Sequence, residues 1–573
     1  MEDKSETSSP TEDRGEVVAQ TPQMPWLEHY PPGIDWAQDI EPRSLVALFD
    51  DAVHKNRERV CIDFFGARTR YRDLGRDVSR LTAALQRRGI GKGHRIGLLL
   101  PNCPTYVIAY FAILKAGAVV VNLNPLYTAE ELSALAADSG VAAVVTLDLT
   151  ALHEKAAALL RSGSVSQLVV ASFAQQLPFL KRVMFRLFRR RDIAKTAQRR
   201  RGRVLSFEAL LRERRTPKPV VIDPREDVAL FQYTGGTTGR PRAAMLTHAN
   251  LTANVQQILH YVGGREPGKD RILGILPLFH VFAMTAVMNL GIAIGAMMIL
   301  MPKFDLPSAA KILRRKKPTI LPGVPTLFTA LLQSSRLRRS DLESLSFCIS
   351  GGASLATELR NRFQQFSGCR LVEGYGLSET SPVVTLNPLN GTEKDGSIGQ
   401  PLPCTIISIR DLDDPKREIP LGEPGEICVK GPQVMRGYWN RPEETEAAFI
   451  DGFLRTGDVG YVDRDGFVFI IDRIKDLINV SGFKVYPRQV EEAIYSHPAV
   501  SEVTVIGVPD PYRGEAPKAF VKLKEGHELT QEALMRHLSS KLSRMEIPSA
   551  IEFRDSLPKT LIGKLSKKEL RAE

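Results

Sequence analysis

The sequence predicts an α/β protein in which a large N-terminal domain of layered α/β subdomains is followed by a small α+β domain. Over residues 42–150, amphipathic helix-like runs alternate with apolar strand-like runs, an order typical of helices packed on a largely parallel sheet. From about Gly399, short strands separated by Gly, Asp and Pro turns indicate a β-rich subdomain. After Arg473, the order helix, strand, strand, helix indicates the separate C-terminal domain.

Individual elements follow from the hydrophobic periodicity. Residues 78–88 and 107–116 have the composition and spacing of helices. Apolar runs of strand length occur at residues 95–100, 118–123, 141–147, 168–171, 228–231, 272–276, 296–301 and 347–350. In the last hundred residues, the pattern predicts helices at 487–496 and 530–542 and strands at 502–508 and 519–524. No period of about 20–50 residues repeats, which argues against a solenoid.

These patterns divide the chain into three parts. We expect a disordered or extended tail at residues 1–40, an N-terminal domain at 41–472 and a C-terminal domain at 473–573. The β-rich subdomain occupies residues 399–472. The start of the chain is polar and acidic and lacks an apolar core, so it does not resemble a signal peptide.

Composition favours a soluble protein of a reducing compartment, which places it in the cytoplasm. Hydrophobic residues make up 43% of the chain and charged residues 25%. The six cysteines are scattered without a C-x-x-C pair, which argues against a disulfide framework and a zinc site. Residues 272–302 lack charged side chains and are long enough to cross a bilayer. Because Pro277, Gly291 and Gly295 interrupt this stretch, a buried helix followed by a buried strand is the alternative.

Positive charge is concentrated in one segment. The chain has a net charge of +12, and residues 181–203 alone contribute +10. Within residues 173–203, arginines alternate with large apolar side chains, namely Phe179, Leu180, Met184, Phe185, Leu187 and Phe188. Such a segment could lie on an anionic membrane surface, on the inner face of the membrane for a cytoplasmic protein. A solvated loop and a nucleic-acid patch are the alternatives, and we predict no nucleic-acid partner.

Residues 232–250, QYTGGTTGRPRAAMLTHAN, have the composition of a phosphate-binding loop. The glycines Gly235, Gly236 and Gly239 let backbone N–H groups turn inward, and the threonines add hydroxyl donors. Arg240 and Arg242 add the fixed positive charge that suits phosphate oxygens. An ordinary Gly/Thr-rich turn is the alternative, and the G-x-x-x-x-G-K-[ST] pattern of the P-loop is absent.

Three further motifs carry side chains that suit a nucleotide. Residues 373–382, EGYGLSETSP, offer Tyr375 for stacking on a base, Glu379 for Mg²⁺ and Thr380 for a phosphate. The TGD sequence that ends at Asp458 places a carboxylate after a tight turn, where it could accept both hydroxyls of a ribose. Near the C-terminus, PKTLIGK places Lys564 in a glycine-containing loop. Taken singly, each motif is also compatible with a turn, a helix start or a solvated tail.

The joint order of the motifs resembles the adenylate-forming superfamily of acyl-CoA ligases, luciferases and peptide-synthetase adenylation domains. The resemblance extends from about Ser44 to the end and includes YTGGTTGRPR, LPLFHVFA, SGGA, EGYGLSET, GYWNRPEET, RTGDVGYVDRDGF, DRIKDLINVSGFKVYP and PKTLIGK. Through NLNPLYTAEEL, GPQVMRGYW and VSGFKVYPRQVEE, the chain is most similar to bacterial long-chain fatty acid–CoA ligases.

The resemblance implies a role for each matching residue. It assigns ATP phosphate binding to Thr234, Gly235, Gly236, Thr237, Thr238, Gly239 and Arg242, and the adenine pocket to Gly352, Gly374, Tyr375 and Gly376. It assigns the α-phosphate to Thr380, the metal to Glu379, the ribose to Asp458 and Arg473, the hinge to Lys475 and the pantetheine tunnel to Gly482. The catalytic set is Lys564, Glu379, Thr234 and His280, with Lys564 bridging carboxylate and phosphate and His280 beside the carboxylate.

Two positions depart from the family pattern. Arg242 and Ala243 stand where the family usually has Lys-Gly. Arginine keeps the charge, so we expect weaker phosphate handling at most, with a changed nucleotide preference as the alternative. The pocket sequence SGGA also differs slightly from many members, without consequence for the assignment.

The resemblance implies an ATP-dependent long-chain fatty acid–CoA ligase that uses ATP, Mg²⁺ and CoA and forms an acyl-AMP. Its C-terminal domain would rotate about Lys475 between the two half-reactions. Medium-chain, dicarboxylic or aryl acids, transfer to a carrier protein, and a catalytically silent binding or membrane-transport protein are the alternatives. The PKTLIGK sequence also resembles sites where lysine acetylation silences acyl-CoA ligases, which implies a lysine acetyltransferase and a deacetylase as partners. Acetylation of Lys564 would remove the charge that the first half-reaction requires. The oligomeric state is open, and a dimer is compatible with the sequence.

Overall fold

Four β-sheets organise the chain, for which a computed structural model describes residues 24–194, 202–234, 241–263, 268–559 and 565–571. The strands of the first half are β1 Val60–Phe64, β2 Ala67–Arg70, β3 Arg95–Leu98, β4 Val119–Asn122, β5 Ala143–Leu147, β6 Gln167–Ala171, β7 Val204–Ser206, β8 Val228–Thr234, β9 Arg242–Thr247, β10 Arg271–Gly274, β11 Met297–Leu300, β12 Ile320–Gly323 and β13 Phe347–Ser350. Those of the second half are β14 Arg370–Gly376, β15 Val383–Leu386, β16 Gln400–Pro401, β17 Ile406–Arg410, β18 Gly425–Lys430, β19 Gly437–Tyr438, β20 Phe449–Ile450, β21 Phe453–Val462, β22 Val468–Arg473, β23 Ile478–Val480, β24 Phe483–Val485, β25 Val500–Asp510, β26 Gly514–Leu523 and β27 Ala550–Phe553.

Helices connect most of the parallel strands. They are α1 Leu45–Lys55, α2 Tyr71–Gln86, α3 Pro104–Lys115, α4 Ala129–Ser139, α5 Thr150–Arg161, α6 Phe179–Phe188, α7 Phe207–Leu210, α8 His248–Tyr261, α9 Val281–Ala283, α10 Leu290–Ala293, α11 Leu306–Lys316, α12 Pro325–Leu332, α13 Thr357–Ser367, α14 Pro442–Ala447, α15 Pro487–Tyr495, α16 Gln531–Ser539 and α17 Lys567–Arg571. Local chemistry sets their ends. Thr128 Oγ1 accepts a hydrogen bond from the Glu131 N–H at 3.2 Å, and Glu131 Oε2 accepts one from the Thr128 N–H at 2.7 Å, which caps α4.

Two large sheets form the body of the protein. One has the order β16-β15-β14-β13-β12-β10-β11-β1-β2 and the other the order β19-β9-β8-β4-β3-β5-β6-β7. The central strands of both sheets run parallel, whereas β2, β9, β15, β16 and β19 join at the edges in antiparallel pairs. The predicted α/β layering is therefore confirmed.

Two smaller sheets follow in the second part of the chain. The first is antiparallel, has the order β17-β18-β21-β20 with β22 on β21, and coincides with the predicted β-rich region. The second has the order β24-β23-β26-β25, with β27 parallel to β26. A 3-10 turn, Ile474–Asp476, links β22 of the first sheet to β23 of the second. The chain thus has a large N-terminal part and a small C-terminal α+β part.

The uncharged stretch at residues 272–302 is buried inside the large domain. It forms β10, α9, a π-helical turn Met284–Asn289, α10 and β11, and most of its side chains belong to the main core. Of the helices in the described ranges, none combines the length and apolarity required to traverse a bilayer. The buried helix and strand expected as the alternative are what the chain forms here.

Two sequence expectations are corrected by packing. The tail predicted for residues 1–40 packs against the domain from Met24 onward, since Trp26 is fully buried and Tyr30 donates a hydrogen bond to the Pro401 carbonyl at 2.8 Å. The helix predicted at residues 78–88 begins earlier, at Tyr71. Gly75 obscured its first turns in the sequence. A Cβ at that position would lie 2.6 Å from Val53 Cγ1, so glycine allows α1 and α2 to approach closely.

Candidate active site

Glycine-rich segments meet at the carboxyl ends of two neighbouring parallel strands. Ser350 at the end of β13 is in register with Glu373 on β14, so the SGGA segment lies beside EGYG. A Cβ at Gly376 would overlap the Pro382 carbonyl oxygen, and the backbone of Gly352 has a φ of +79°. Both positions therefore require glycine, because a side chain would clash or strain the backbone. These segments form one wall of the candidate nucleotide site.

Three of the predicted nucleotide-binding side chains form a hydrogen-bonded group. The Tyr375 hydroxyl donates to Asp458 Oδ2 at 2.6 Å, and Arg473 Nε lies 2.9 Å from Asp458 Oδ1. Asp458 and Arg473 are paired across β21 and β22, so the sheet register brings them together. Burial, followed by the charge of Asp458, raises the pKa of Tyr375, which therefore stays a neutral donor. Carboxylate oxygens accept more than one hydrogen bond each, so Asp458 retains capacity for ribose hydroxyls.

Glu373, the residue before this glycine segment, has a buried carboxyl group. Its Oε1 accepts a hydrogen bond from the Leu355 N–H at 3.1 Å. Burial raises the pKa of Glu373 to about 8, and the charge of Arg488 on α15 acts in the opposite direction. In the sequence, Glu373 is distinguished only as the first residue of the EGYG motif. Its burial, which gives it an unusual pKa, is a property of the folded state.

The phosphate loop begins at the end of β8, where Thr234 pairs with Arg242 on β9. The residues Gly235, Gly236, Thr237, Thr238 and Gly239 lie outside the described residues, and so does Lys564. The hydroxyl of Thr234 is buried and has no hydrogen-bond partner within the described ranges. A buried donor without a partner is costly, which makes this hydroxyl a suitable contact for a phosphate oxygen.

Arg242 is held by protein groups at the edge of this loop. Its Nη1 lies 3.2 Å from Glu444 Oε2, and its guanidinium carbon lies 4.4 Å from the centre of the Tyr438 ring. The Tyr438 hydroxyl in turn donates to Glu379 Oε1 at 2.9 Å. β19 brings Tyr438 here by pairing with β9. Arg242 is therefore connected to Glu379 through one aromatic side chain.

Tyr438 is a candidate functional residue that the sequence analysis did not single out. The motifs GPQVMRGYW and GYWNRPEET contain it, but they gave no indication of its partners. The unusual Arg242 could have predicted an aromatic partner such as Tyr438, because a guanidinium stacks on an aromatic ring better than an ammonium does. The strand pairing needed to identify that partner is visible only in the fold.

The donor set at Glu379 fits Mg²⁺. One carboxylate oxygen accepts from Tyr438, which leaves the second available to a cation. No group of three or more His, Cys, Asp or Glu side chains suited to a metal occurs in the described ranges. Mg²⁺ is commonly held by one or two carboxylates together with substrate phosphates. A single carboxylate in a turn that contacts β8 and β9, the strands that flank the phosphate loop, is compatible with that mode of binding.

The Thr380 side chain forms its hydrogen bonds within its own turn. Its hydroxyl donates to the carbonyl oxygens of Leu377 and Pro382, and it accepts from the Leu377 N–H at 3.0 Å. The side chain is fully buried. In this structure Thr380 stabilises the turn that carries Glu379, and its contact with the α-phosphate stays a prediction.

His280 is the N-cap of α9, at the start of a helical segment beside the glycine-rich wall. Its Nδ1 accepts from the Phe282 N–H at 3.4 Å, at the start of α9. A Cβ built on Gly351 would lie 3.2 Å from the Phe282 ring. The Thr285 hydroxyl donates to the Ser381 carbonyl at 2.8 Å. Phe282 of the LPLFHVF segment therefore lies against SGGA, and Thr285, three residues later, contacts SETSP. The place of His280 beside a carboxylate stays a prediction.

Lys475 and Gly482 lie at the boundary with the C-terminal sheet. Lys475 is in the 3-10 turn between β22 and β23, and burial and the charge of Arg473 lower its pKa. Gly482 lies in the turn between β23 and β24, where its N–H donates to Asn479 Oδ1 at 2.9 Å. With a φ of +86° and open space around it, Gly482 forms an exposed hairpin tip in this structure. Its role beside pantetheine stays a prediction.

Comparison with protein families gives two matches along the chain. Residues 49–439 match the family described as AMP-binding enzyme, and residues 489–564 match the AMP-binding enzyme C-terminal domain. The 3-10 turn that links the two small sheets lies between the two matched ranges.

Individual relatives agree with this match. The chain is 42% identical over 557 residues to a long-chain-fatty-acid–CoA ligase of Bacillus subtilis, covering 96% of this chain and 98% of the relative. It is 38% identical over 561 residues to the ligase of the same name from Escherichia coli O6:H1, with the same coverage. The crystal structure of ATP-bound MatB from Rhodopseudomonas palustris is 29% identical and superposes with a TM-score of 0.81, covering 92% of this chain and 98% of that one. The resemblance to adenylate-forming enzymes is confirmed, and the chain belongs to the AMP-binding enzyme family.

Proposed function

We propose that the protein is an ATP-dependent long-chain fatty acid–CoA ligase of the AMP-forming class. In the first half-reaction, a carboxylate oxygen of the acid attacks the α-phosphorus of ATP and pyrophosphate leaves. In the second, the CoA thiol attacks the acyl carbon and AMP leaves. The group formed by Tyr375, Asp458 and Arg473 carries the proposal, because it presents a ring, a carboxylate and a cation at a site framed by glycines. The name of the B. subtilis relative supports the long-chain substrate.

The described side chains suit the first half-reaction. Tyr375 would stack on adenine, and Asp458 with Arg473 would hold the ribose. Thr234 would donate its unpartnered hydroxyl to a phosphate oxygen. Glu379 would hold Mg²⁺, which supplies positive charge to the phosphates and reduces their repulsion of the carboxylate. Arg242 would act mainly through Tyr438, since its Nη1 pairs with Glu444 and its guanidinium lies over the Tyr438 ring.

The remaining roles are those that the resemblance to the family implies. Lys564 would neutralise charge as the carboxylate approaches the α-phosphate. His280 would lie beside that carboxylate, at the start of α9. Rotation about Lys475 would then withdraw Lys564 and bring Gly482 to the pantetheine of CoA. Medium-chain, dicarboxylic or aryl acids, and transfer to a carrier protein, are alternatives for the same site.

The variant Lys564→Ala tests the two-conformation scheme. We expect acyl-adenylate formation, measured by ATP–pyrophosphate exchange, to fall by about 10²–10³-fold. Thioester formation from presynthesised acyl-AMP and CoA should be retained, because Lys564 is then no longer needed. Lys541→Ala, an exposed substitution in the same domain, serves as the control. Equal loss of both half-reactions in Lys564→Ala would contradict the scheme.

A panel of acids from hexanoate to octadecanoate, with dicarboxylic and aryl acids added, tests the substrate class. Exchange that increases with chain length, followed by CoA-dependent AMP release, supports the long-chain ligase. Exchange without CoA-dependent AMP release favours transfer to a carrier protein. ATP binding without turnover of any acid favours a silent binding protein and contradicts the proposal.

Location and regulation belong to the same proposal. A cytoplasmic enzyme has access to both ATP and CoA, and contact with the inner face of the membrane would place it where fatty acids partition. A lysine acetyltransferase could silence the first half-reaction by acetylating Lys564, and a deacetylase could restore it. Mass spectrometry that detects only unmodified Lys564 in every growth state would contradict this regulation.

A further inference from the structure

Helix α6 presents an apolar stripe to solvent. Its exposed large side chains are between 41% and 77% accessible, and they are Phe179, Leu180, Val183, Met184, Leu187 and Phe188. These positions follow the spacing i, i+1, i+4, i+5, i+8 and i+9, so they lie on one side of the helix. A surface helix normally turns such a stripe toward the core. In α6 the arrangement is reversed.

Contacts on the opposite side fix this reversed orientation. The Phe185 ring packs against the Phe173 ring with centroids 5.1 Å apart. Arg182 Nη2 donates to the carbonyl oxygens of Gln175 and Leu177 at 3.2 and 3.3 Å. These anchors hold α6 on the large domain by one side, so the six apolar side chains stay directed outward.

Positive charge borders the stripe. Lys181 and Arg186 are exposed on either side of it, and Arg189, Arg190 and Arg191 continue past the end of the helix. Asp192, the one acid at residues 173–203, lies 3.3 Å from Arg189. Apolar side chains flanked by lysine and arginine are typical of helices that lie in the interface of an anionic bilayer.

The adjoining hairpin between β1 and β2 extends the same surface. Phe65, which is 44% exposed, lies at its tip, and Lys181 donates to the Phe65 carbonyl at 2.8 Å. Nearby, Asp63 is buried and paired with Arg68 at 3.6 Å and Lys316 at 2.6 Å. The acid of this hairpin is thereby neutralised by two cations. The surface combines α6, Phe65 and cationic neighbours.

We propose that α6 and Phe65 form a docking surface for an anionic lipid bilayer, with the helix axis parallel to the membrane plane. Phe179, Leu180 and Leu187 would enter the acyl boundary while Lys181 and Arg186 contact lipid phosphates. A second copy of the chain is a poorer occupant, because a symmetric contact would bring two strongly basic segments together. The proposal concerns the partner of this surface and does not depend on the ligase activity.

Vesicle co-sedimentation without substrates tests the docking surface. Wild-type protein should bind vesicles of phosphatidylcholine with phosphatidylglycerol, and bind more weakly to phosphatidylcholine alone. The triple variant Leu180→Asp, Met184→Asp and Leu187→Asp should lose at least about 10-fold in partitioning, since it places charge in the acyl boundary. These side chains are exposed, so the variant should fold, and circular dichroism checks this. The control carries Val221→Asp and Tyr512→Asp, at apolar positions 87% and 93% exposed elsewhere on the surface.

Further experiments distinguish a lipid bilayer from the other possible partners of this surface. The variant Arg186→Glu and Arg190→Glu should lose the preference for anionic vesicles but keep weak binding to neutral ones. Unchanged binding of the triple variant, or no binding by wild type, would overturn the proposal. A wild-type dimer in light scattering that the triple variant converts to a monomer would assign the surface to a second copy. Binding to an oligonucleotide without binding to vesicles would assign it to nucleic acid.

Discussion

At the residue scale, the side-chain contacts that connect Arg242, Tyr438 and Glu379 explain how the protein accommodates an arginine where the family usually has lysine. The guanidinium stacks on the Tyr438 ring and pairs with Glu444, and the Tyr438 hydroxyl bonds to Glu379. A lysine at this position would provide a point charge without a planar face. Arg242 therefore positions Tyr438, and Tyr438 positions the carboxylate proposed to hold Mg²⁺.

Replacing Tyr438 with phenylalanine tests this positioning role. The Tyr438→Phe variant keeps the ring under Arg242 and removes the hydrogen bond to Glu379. Loss of such a supporting contact typically weakens metal binding by about 10-fold or more. Calorimetric titration of ATP at several Mg²⁺ concentrations should show this shift, and the Mg²⁺ concentration for half-maximal exchange should rise with it. Tyr512→Phe, at an exposed position, is the control, and an unchanged Mg²⁺ requirement would exclude the role.

The buried carboxyl of Glu373 predicts a pH dependence of stability. Its pKa is about 8 in the folded protein against an ordinary value of 4.5, so the folded state binds the proton more tightly than the unfolded state. Wild type should therefore lose stability as the pH rises from about 4.5 to about 8, and no further above that window. Glu373→Gln is neutral throughout and should lack this loss. In denaturant titrations, the free energy of unfolding of wild type should fall relative to that of Glu373→Gln by up to about 4 kcal/mol between about pH 5 and about pH 9. A constant difference would contradict the assignment.

At the element scale, close packing of helices depends on single small residues. α1 and α2 approach each other at Gly75, where a Cβ would lie 2.6 Å from Val53 Cγ1. Helix α6 shows the opposite case, since it is held by a few contacts and leaves most of its apolar surface outside. Helix formation thus follows local sequence, whereas the side that a helix buries depends on its neighbours.

The variant Gly75→Ala should lower stability by about 1–3 kcal/mol through overpacking against Val53. In the double variant Gly75→Ala with Val53→Ala, the two Val53 methyl groups that the new Cβ would contact are gone, so much of that loss should be recovered. Thermal unfolding of wild type, both single variants and the double variant measures the coupling between the two positions. Additive effects of the two substitutions would show that the contact is not the cause.

At the scale of the whole molecule, a short turn and a few polar contacts set the position of the C-terminal part. The 3-10 turn Ile474–Asp476 joins the two small sheets. Arg488 on α15 donates to the Ser354 hydroxyl, and Lys484 Nζ lies 2.9 Å from Asp413 Oδ1. Exposed polar contacts of this kind are weak, so they would oppose the proposed rotation only slightly.

The variant Lys475→Pro tests rotation at this turn. Proline fixes φ at residue 475 and also restricts the backbone of Ile474 before it, so it limits rotation at this turn. We expect the two half-reactions to be affected unequally, with one falling at least about 10-fold more than the other, because exchange between the two orientations is limited. ATP–pyrophosphate exchange and thioester formation from acyl-AMP measure the two separately. The control is Lys475→Ala, which removes the lysine side chain without restricting the backbone. Equal reduction of both half-reactions by Lys475→Pro would contradict a hinge here.

The sequence by itself determined the layered α/β fold, the β-rich region and the family. Hydrophobic periodicity marks buried strands and helices because side chains repeat every two or 3.6 residues. Motif order identified Tyr375, Asp458 and Arg473, and the structure brings these three into one hydrogen-bonded group. Local patterns carry this information because each motif is a short run of chain with its own chemistry.

Only the tertiary structure decided which distant residues meet. Tyr438 reaches Glu379 through the pairing of β19 with β9, and Trp26 is buried against strands that lie hundreds of residues away. Thr380 bonds within its turn, and α6 turns its apolar side outward. Such outcomes depend on strand register and on which surfaces are already covered, and these are set by contacts between segments remote in sequence.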